Sequence, residues 1–205
     1  MRLIGMLDSP YVRRVAISLD ALNIPFEHES VSVFQAYERF RNINPVVRAP
    51  SLVCDDGTVL MDSSLILQYV ESAAGRSLWS QDAQERQKQF RCVGLAQAAC
   101  EKSIQLIYER NLRPREFQYE PWLARVTEQL LAAYGELERE IHSGSGDWFG
   151  QLNPATIAIA IAWQLTQSQR ASRLPQESFP LVVQLSETME ATPIFKKYPP
   201  VGPGV

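Results

Sequence analysis

Along the first third of the chain the apolar period changes several times, and each change marks an element. Arg2–Met6 reads as a strand. From Pro10 onward, Val12, Val15, Ala16, Leu19 and Leu22 recur at helical spacing, and Asn23-Ile24-Pro25 ends the run because proline disfavours helix in the residue before it. Phe26–Val31 is a second strand candidate and Ala36–Arg41 a short helix, followed by the turn-like Asn44-Pro45. Ser51–Cys54 and Thr58–Met61 flank Asp55-Asp56-Gly57, which predicts a hairpin, since glycine takes positive φ without penalty. Ser63–Ala74 is helical again, with Ile66, Tyr69, Val70 and Ala73 aligned. The order βαβαββα joins a crossover unit to a terminal hairpin and predicts a mixed sheet covered by helices.

After Gly75-Arg76-Ser77 the strand signals stop. A long helix is predicted over Asp82–Leu112, with Phe90, Val93, Cys100, Ile104 and Ile107 inward, closed by Arg113-Pro114. The next runs over Pro121–His142 on Leu123, Val126, Leu130, Tyr134, Leu137 and Ile141, and Ser143-Gly144-Ser145-Gly146 reads as a turn. Asn153–Trp163 alternates isoleucine and alanine as a strand can. Asn153-Pro154, however, is a good cap-then-first-residue pair, and alanine is the best helix former, so a helix is predicted. Being apolar on all sides, it belongs at the centre of its domain. Phe179–Glu190 is a last amphipathic helix, and the proline- and glycine-rich Tyr198–Gly204 cannot be regular structure. The pattern therefore divides the chain into an α/β domain (1–75), a linker (76–81) and an all-α domain (82–205).

Composition narrows the function classes. The hydrophobic content of 45% across 205 residues suffices for a real core, and a net charge of −3 argues against a nucleic-acid surface. No basic leader followed by an apolar core opens the sequence, and the longest strongly apolar run, Ala155 to Leu165, is too short to span a bilayer. A soluble cytoplasmic protein is the expectation. Cys54, Cys92 and Cys100 form no Cys-x-x-Cys pair, which excludes a two-cysteine redox centre, and small-residue core packing is their expected role. His28 and His142 show no ligand spacing with cysteine or carboxylate, so no metal site is expected.

One stretch carries candidate chemistry. In Ser9-Pro10-Tyr11-Val12-Arg13-Arg14-Val15 a hydroxyl stands just before a proline where the first strand gives way to the first helix. Proline suits the first helical position, and the serine before it is a natural cap. Unpaired amides and the helix dipole attract anions to that end. Ser9 can thus serve as a cap, or donate a hydrogen bond to a bound thiolate.

A small βαβαββα domain followed by a helical one resembles the glutathione transferase superfamily. Three motifs match at the usual offsets: Ser9–Val15 is similar to the motif of its serine-using bacterial members, Asn44–Leu52 to the loop ending in a cis-proline, and Asp62-Ser63 to the acidic-Ser pair opening the third helix. The resemblance implies a thioredoxin-like N-terminal domain, an all-α C-terminal domain and a cytoplasmic homodimer acting in detoxification. Glutathione would be co-substrate, conjugated to a small hydrophobic electrophile. Ser9 would stabilise the thiolate. A cis Pro50 would let Ala49 pair with the cysteinyl backbone, whereas a plain reading of Pro50 is a trans turn proline. Ser63 would hold the γ-glutamyl carboxylate and Asp62 its ammonium, although either residue also caps a helix. Arg48 would meet the glycyl carboxylate or remain a solvated charge, and Phe34 joins the glutathione-binding set. The electrophile would lie between the domains against Leu7, Phe34, Tyr108 and Trp163, with Gln97 and Glu101 as polar groups facing the site. Family members carry a Ser/Thr-x-x-Asp box at the core helix; Asn153-x-x-Thr156 keeps the cap and lacks the acid. The rivals are a glutathione-dependent disulfide reductase or isomerase, and a non-catalytic glutathione-binding protein.

Overall fold

The computed structural model describes residues 1–143 and 147–204; the predicted turn at Gly144-Ser145-Gly146 lies outside them. Four short strands, β1 (Arg2–Ile4), β2 (Glu27–Glu29), β3 (Ser51–Val53) and β4 (Val59–Met61), form one sheet in the order β2-β1-β3-β4. β1 runs parallel to β2, with Leu3 opposite His28, and antiparallel to β3, with Leu3 opposite Leu52; β3 and β4 are antiparallel. Helices α1 (Pro10–Ala21), α2 (Tyr37–Ile43) and α3 (Ser63–Ala74) complete the predicted βαβαββα order. The hairpin turns at Gly57, whose φ of 86° is open to glycine without strain. Each strand is shorter than its apolar run.

Side chains alternate across a strand, so the sheet has two dry faces. Ile4 packs with Val31 and Phe40 of α2 on one face. Leu3 and its partner Leu52 point the other way, and both are fully buried. α1 packs against β1 and α3, and its burial runs unbroken from Val12 to Leu19. That stretch includes Arg13 and Arg14, which an amphipathic reading leaves on the outside.

The second unit, Trp79–Ala191, is built on four helices: α4 (Ala83–Asn111), α5 (Glu120–His142), α6 (Pro154–Ser168) and α7 (Pro180–Glu190). Asp82 starts α4 by accepting from the amides of Gln84 and Glu85. α6 sits at the core with twelve of its side chains buried, as a helix apolar on every face must. Its cap is a full reciprocal box: Asn153 Oδ1 accepts from the Ala155 and Thr156 amides, while Thr156 Oγ1 accepts from the Asn153 amide at 3.1 Å. A buried hydroxyl thus does the reciprocal work of the absent acid. Phe90, predicted inward, is instead 55% exposed and stacks on Trp79 at 4.1 Å between ring centroids. The true inward stripe of α4 runs through Gln89, Cys92, Val93 and Ala96, which turns position 90 outward.

The division between units corrects one boundary. Met1–Leu78 groups with Thr192–Gly204, a segment the sequence pattern assigns to the helical domain. Apolar burial of Phe195 and Tyr198 and the polar reach of Arg13 both tie it there. Arg13, 1% exposed, donates from Nε to the Tyr198 carbonyl at 2.7 Å and from Nη2 to the Phe195 carbonyl at 3.5 Å. Its guanidinium also lies 5.2 Å from the Phe195 ring centroid. A buried guanidinium needs acceptors, and these come on the returning chain, which forms the short helix α8 (Pro193–Lys197). Beyond it, the Gly204 amide donates to the Asp8 carboxylate at 2.9 Å, and Gly202 passes so close that a β-carbon would lie 2.1 Å from Asp8 Cγ. Among the described residues no helix is long and apolar enough to cross a membrane.

Candidate functional site

Three segments of the first unit meet where β1 and β4 end and β3 begins. The first is the turn into α1. Ser9 is its N-cap, with extended backbone (φ −72°, ψ 121°), and Pro10 occupies the first turn. The cap bond is long, at 3.5 Å from the Val12 amide to Ser9 Oγ, so the hydroxyl is only weakly engaged with its own helix. His28 is committed elsewhere: its Nε2 is hydrogen-bonded to the Gly5 carbonyl at 2.8 Å.

The second segment is the loop from Asn44 to Pro50. Buried Asn44 organises it, accepting from the Val46 amide at 3.0 Å and donating to Ser51 Oγ at 2.8 Å. Ser51 passes the chain on, donating to the Arg48 carbonyl at 2.8 Å. The Ala49–Pro50 peptide bond is cis. Ala49 packs against Gly5, where a β-carbon would lie 3.2 Å from that of Ala49 and 2.6 Å from Val12 Cγ2. Loop and α1 are thereby held in contact. Val47 adopts φ 52°, a strained value for a β-branched residue.

The third segment opens α3. Asp62 caps it, Oδ1 accepting from the amides of Ser64 at 2.9 Å and Leu65 at 3.3 Å. Asp62 stands at φ 73°, another non-glycine residue in left-handed space. Such outliers cost about 1–3 kcal/mol and gather at ligand clamps. Arg48 Nη2 is 3.9 Å from Asp62 Oδ2, with both side chains well exposed, so this pair contributes little to stability. Ser63 is buried and accepts from Arg14 Nη1 at 3.3 Å; the same nitrogen donates to Ser64 Oγ at 3.1 Å. Sequence reading missed Arg14 as a site residue. The only signal for it was a second arginine set among inward positions of α1.

The remaining candidates separate. Phe34 is 42% exposed, its amide donating to Ser32 Oγ, and Leu7 is buried. In the helical unit, Glu101 is engaged with Lys102 and Gln105, and Gln97 is half-buried on the same helix. Trp163 is corrected from substrate contact to core: it is buried, edge-on to Tyr134 at 5.0 Å and close to Phe179 at 5.9 Å. Tyr108 lines an open groove of about 450 Å³ with Leu112, Pro114 and Trp122. All three cysteines are buried and form no disulfide, and burial pushes the Cys92 thiol up to about 12. Among the described residues no group of three or more histidine, cysteine or acidic side chains could hold a metal.

Residues 3–78 match the family model described as the glutathione S-transferase N-terminal domain. An uncharacterized GST-like protein of Escherichia coli, YibF, is 29% identical over 163 residues, which cover 79% of this chain and 80% of that one. Among solved structures, a glutathione S-transferase of Methylobacterium radiotolerans in complex with glutathione sulfonate is 26% identical, with a TM-score of 0.87 over 100% of this chain and 96% of that one. A glutathione transferase family member from Pseudomonas fluorescens, solved with bound glutathione, shares the fold at 24% identity and a TM-score of 0.84, covering 98% of this chain and 99% of that one. Residues 3–78 are thus similar to the glutathione S-transferase N-terminal domain, and the mixed sheet with its helical unit has the fold of these solved structures.

Proposed function

We propose that this protein binds glutathione in its first unit and activates the thiol for conjugation to a hydrophobic electrophile. The observation that carries the reading is the pairing of two helix N-termini, α1 with Ser9 and α3 with Asp62-Ser63, braced by Arg14. A free thiol with a pKa of about 8.5 is only roughly 3% thiolate at pH 7, and the thiolate is the nucleophile. A hydroxyl donor at a positive helix end favours the charged form, and the weak cap bond leaves Ser9 able to turn toward sulfur. Relatives solved with glutathione or its sulfonate support this reading. In it, the γ-glutamyl end meets Asp62 and Ser63, the cysteinyl part lies along Ala49 and Pro50, and the glycyl carboxylate meets Arg48, with Phe34 alongside. For the electrophile the reading takes Tyr108, whose groove with Leu112 and Trp122 supplies apolar and aromatic contact. Disulfide reduction by a protein thiolate is disfavoured, since all three cysteines are buried.

Ser63→Ala tests the binding half. Loss of one charge-assisted hydrogen bond is expected to weaken glutathione by about ten- to a hundredfold in calorimetry, and unchanged affinity overturns the placement. The conjugating half is tested by steady-state turnover with a panel of aromatic electrophiles. The reading also includes a homodimer, for which Leu65 and Tyr69 stand exposed on α3. Light scattering at micromolar concentration is expected to return twice the chain mass, and a monomer mass refutes it.

A further inference from the structure

We infer that Arg14 is a positioning residue that makes the start of α3 selective for a carboxylate, by aiming the Ser63 hydroxyl as a donor. The inference rests on the reading that the γ-glutamyl end binds at Asp62-Ser63. Arg14 is 5% exposed, and its Nη1 reaches both Ser63 Oγ and Ser64 Oγ. A serine hydroxyl has one proton and two lone pairs. When Ser63 Oγ accepts from a guanidinium, its own proton must point elsewhere, as donation back to a group without lone pairs is impossible. The hydroxyl is thereby kept as a donor toward whatever sits before α3.

Charge argues in the same direction. Asp62 puts a carboxylate at this helix start, and Oδ1 is already committed to the Ser64 and Leu65 amides. An incoming carboxylate is repelled by that charge. The Arg14 guanidinium, buried where screening by water is weak, offsets the repulsion from beneath. Asp62 is left to meet an ammonium through Oδ2. The pair of charges thus matches an amino acid head group bearing both signs.

The test compares glutathione with an analogue carrying 4-aminobutyrate in place of γ-glutamate, which lacks only the α-carboxylate. Affinities are measured by calorimetry and competition for wild type, Arg14→Met and Arg14→Gln. Wild type is expected to prefer glutathione by about tenfold or more. Arg14→Met is expected to lose about tenfold in glutathione affinity while analogue binding stays within about twofold, collapsing the preference. Equal weakening of both ligands makes Arg14 merely structural and overturns the inference, as does an unchanged preference. If Arg14→Met does not fold, Arg14→Gln decides by the same ratio. A wild type that binds both ligands equally, or neither, overturns the γ-glutamyl placement itself, which separates that failure from failure of the Arg14 role.

Discussion

Ser9→Ala is expected to raise the pKa of the bound glutathione thiol by about one to two units, because a hydrogen bond to a charged group contributes about 1.5–3 kcal/mol. Where pH lies below both pKa values the thiolate fraction, and with it the turnover number, should fall about ten- to a hundredfold, and by less where the wild-type thiol is already largely ionised. The deficit should shrink as pH rises through the variant's thiol pKa, since the thiolate then forms unaided. Glutathione affinity should change little, because Ser63, Ala49 and Arg48 are untouched. The competing view makes Ser9 a cap and nothing more. That cap is poor, at 3.5 Å, so its loss should cost no more than about 0.5 kcal/mol of stability. Ultraviolet thiolate absorbance of the complex, titrated for both proteins, separates the two views. Coincident curves would reject thiol activation by Ser9.

Arg13→Met should destabilise the protein by about 3 kcal/mol without touching the candidate site. Methionine fills much of the same volume yet donates nothing, so the Tyr198 and Phe195 carbonyls lose their charged donor and the Phe195 ring its cation. Arg13→Lys should fall between, since an ammonium cannot span both carbonyls as a planar fork does. Urea denaturation followed by circular dichroism gives the magnitude. Limited proteolysis should show new cleavage within Thr192–Gly204, the segment Arg13 retains. A stability within about 0.5 kcal/mol of wild type would show that the carbonyls find other donors.

Elements framed by local signals were readable from the sequence. α3 begins and ends where Asp62 caps it and Gly75 takes left-handed φ, and α6 follows from Asn153-Pro154 despite its strand-like alternation. Both sets of signals act within about four residues. Strands were overextended, because an apolar run continues past the last paired residue into turns such as Gly5, whose amide bonds the Glu29 carbonyl. The site was legible in part. Ser9, Asp62 and Ser63 lie in short motifs, whereas Arg14 gains its meaning from a serine 49 positions away and Arg13 from a carbonyl 185 positions away. Neither distance leaves a trace in periodicity, and a charged pair inside α1 reads as solvent-facing until its acceptors are known. Phe90 failed for a related reason: with alanine, cysteine and glutamine lining the inner stripe of α4, its largest apolar residue was the wrong guide to the buried side.

The long reach of Arg13 bears on how the molecule is made. At about 5–20 residues per second, a ribosome needs roughly 10–40 seconds to travel from Arg13 to Tyr198. Throughout that interval the Arg13 guanidinium is without the Tyr198 and Phe195 carbonyls that accept from it in the folded chain. The whole helical unit is synthesised in the meantime. The first unit to emerge is therefore completed late, and the half that carries the candidate site should pass from protease-sensitive to resistant only when residues 192–204 settle against Asp8 and Arg13.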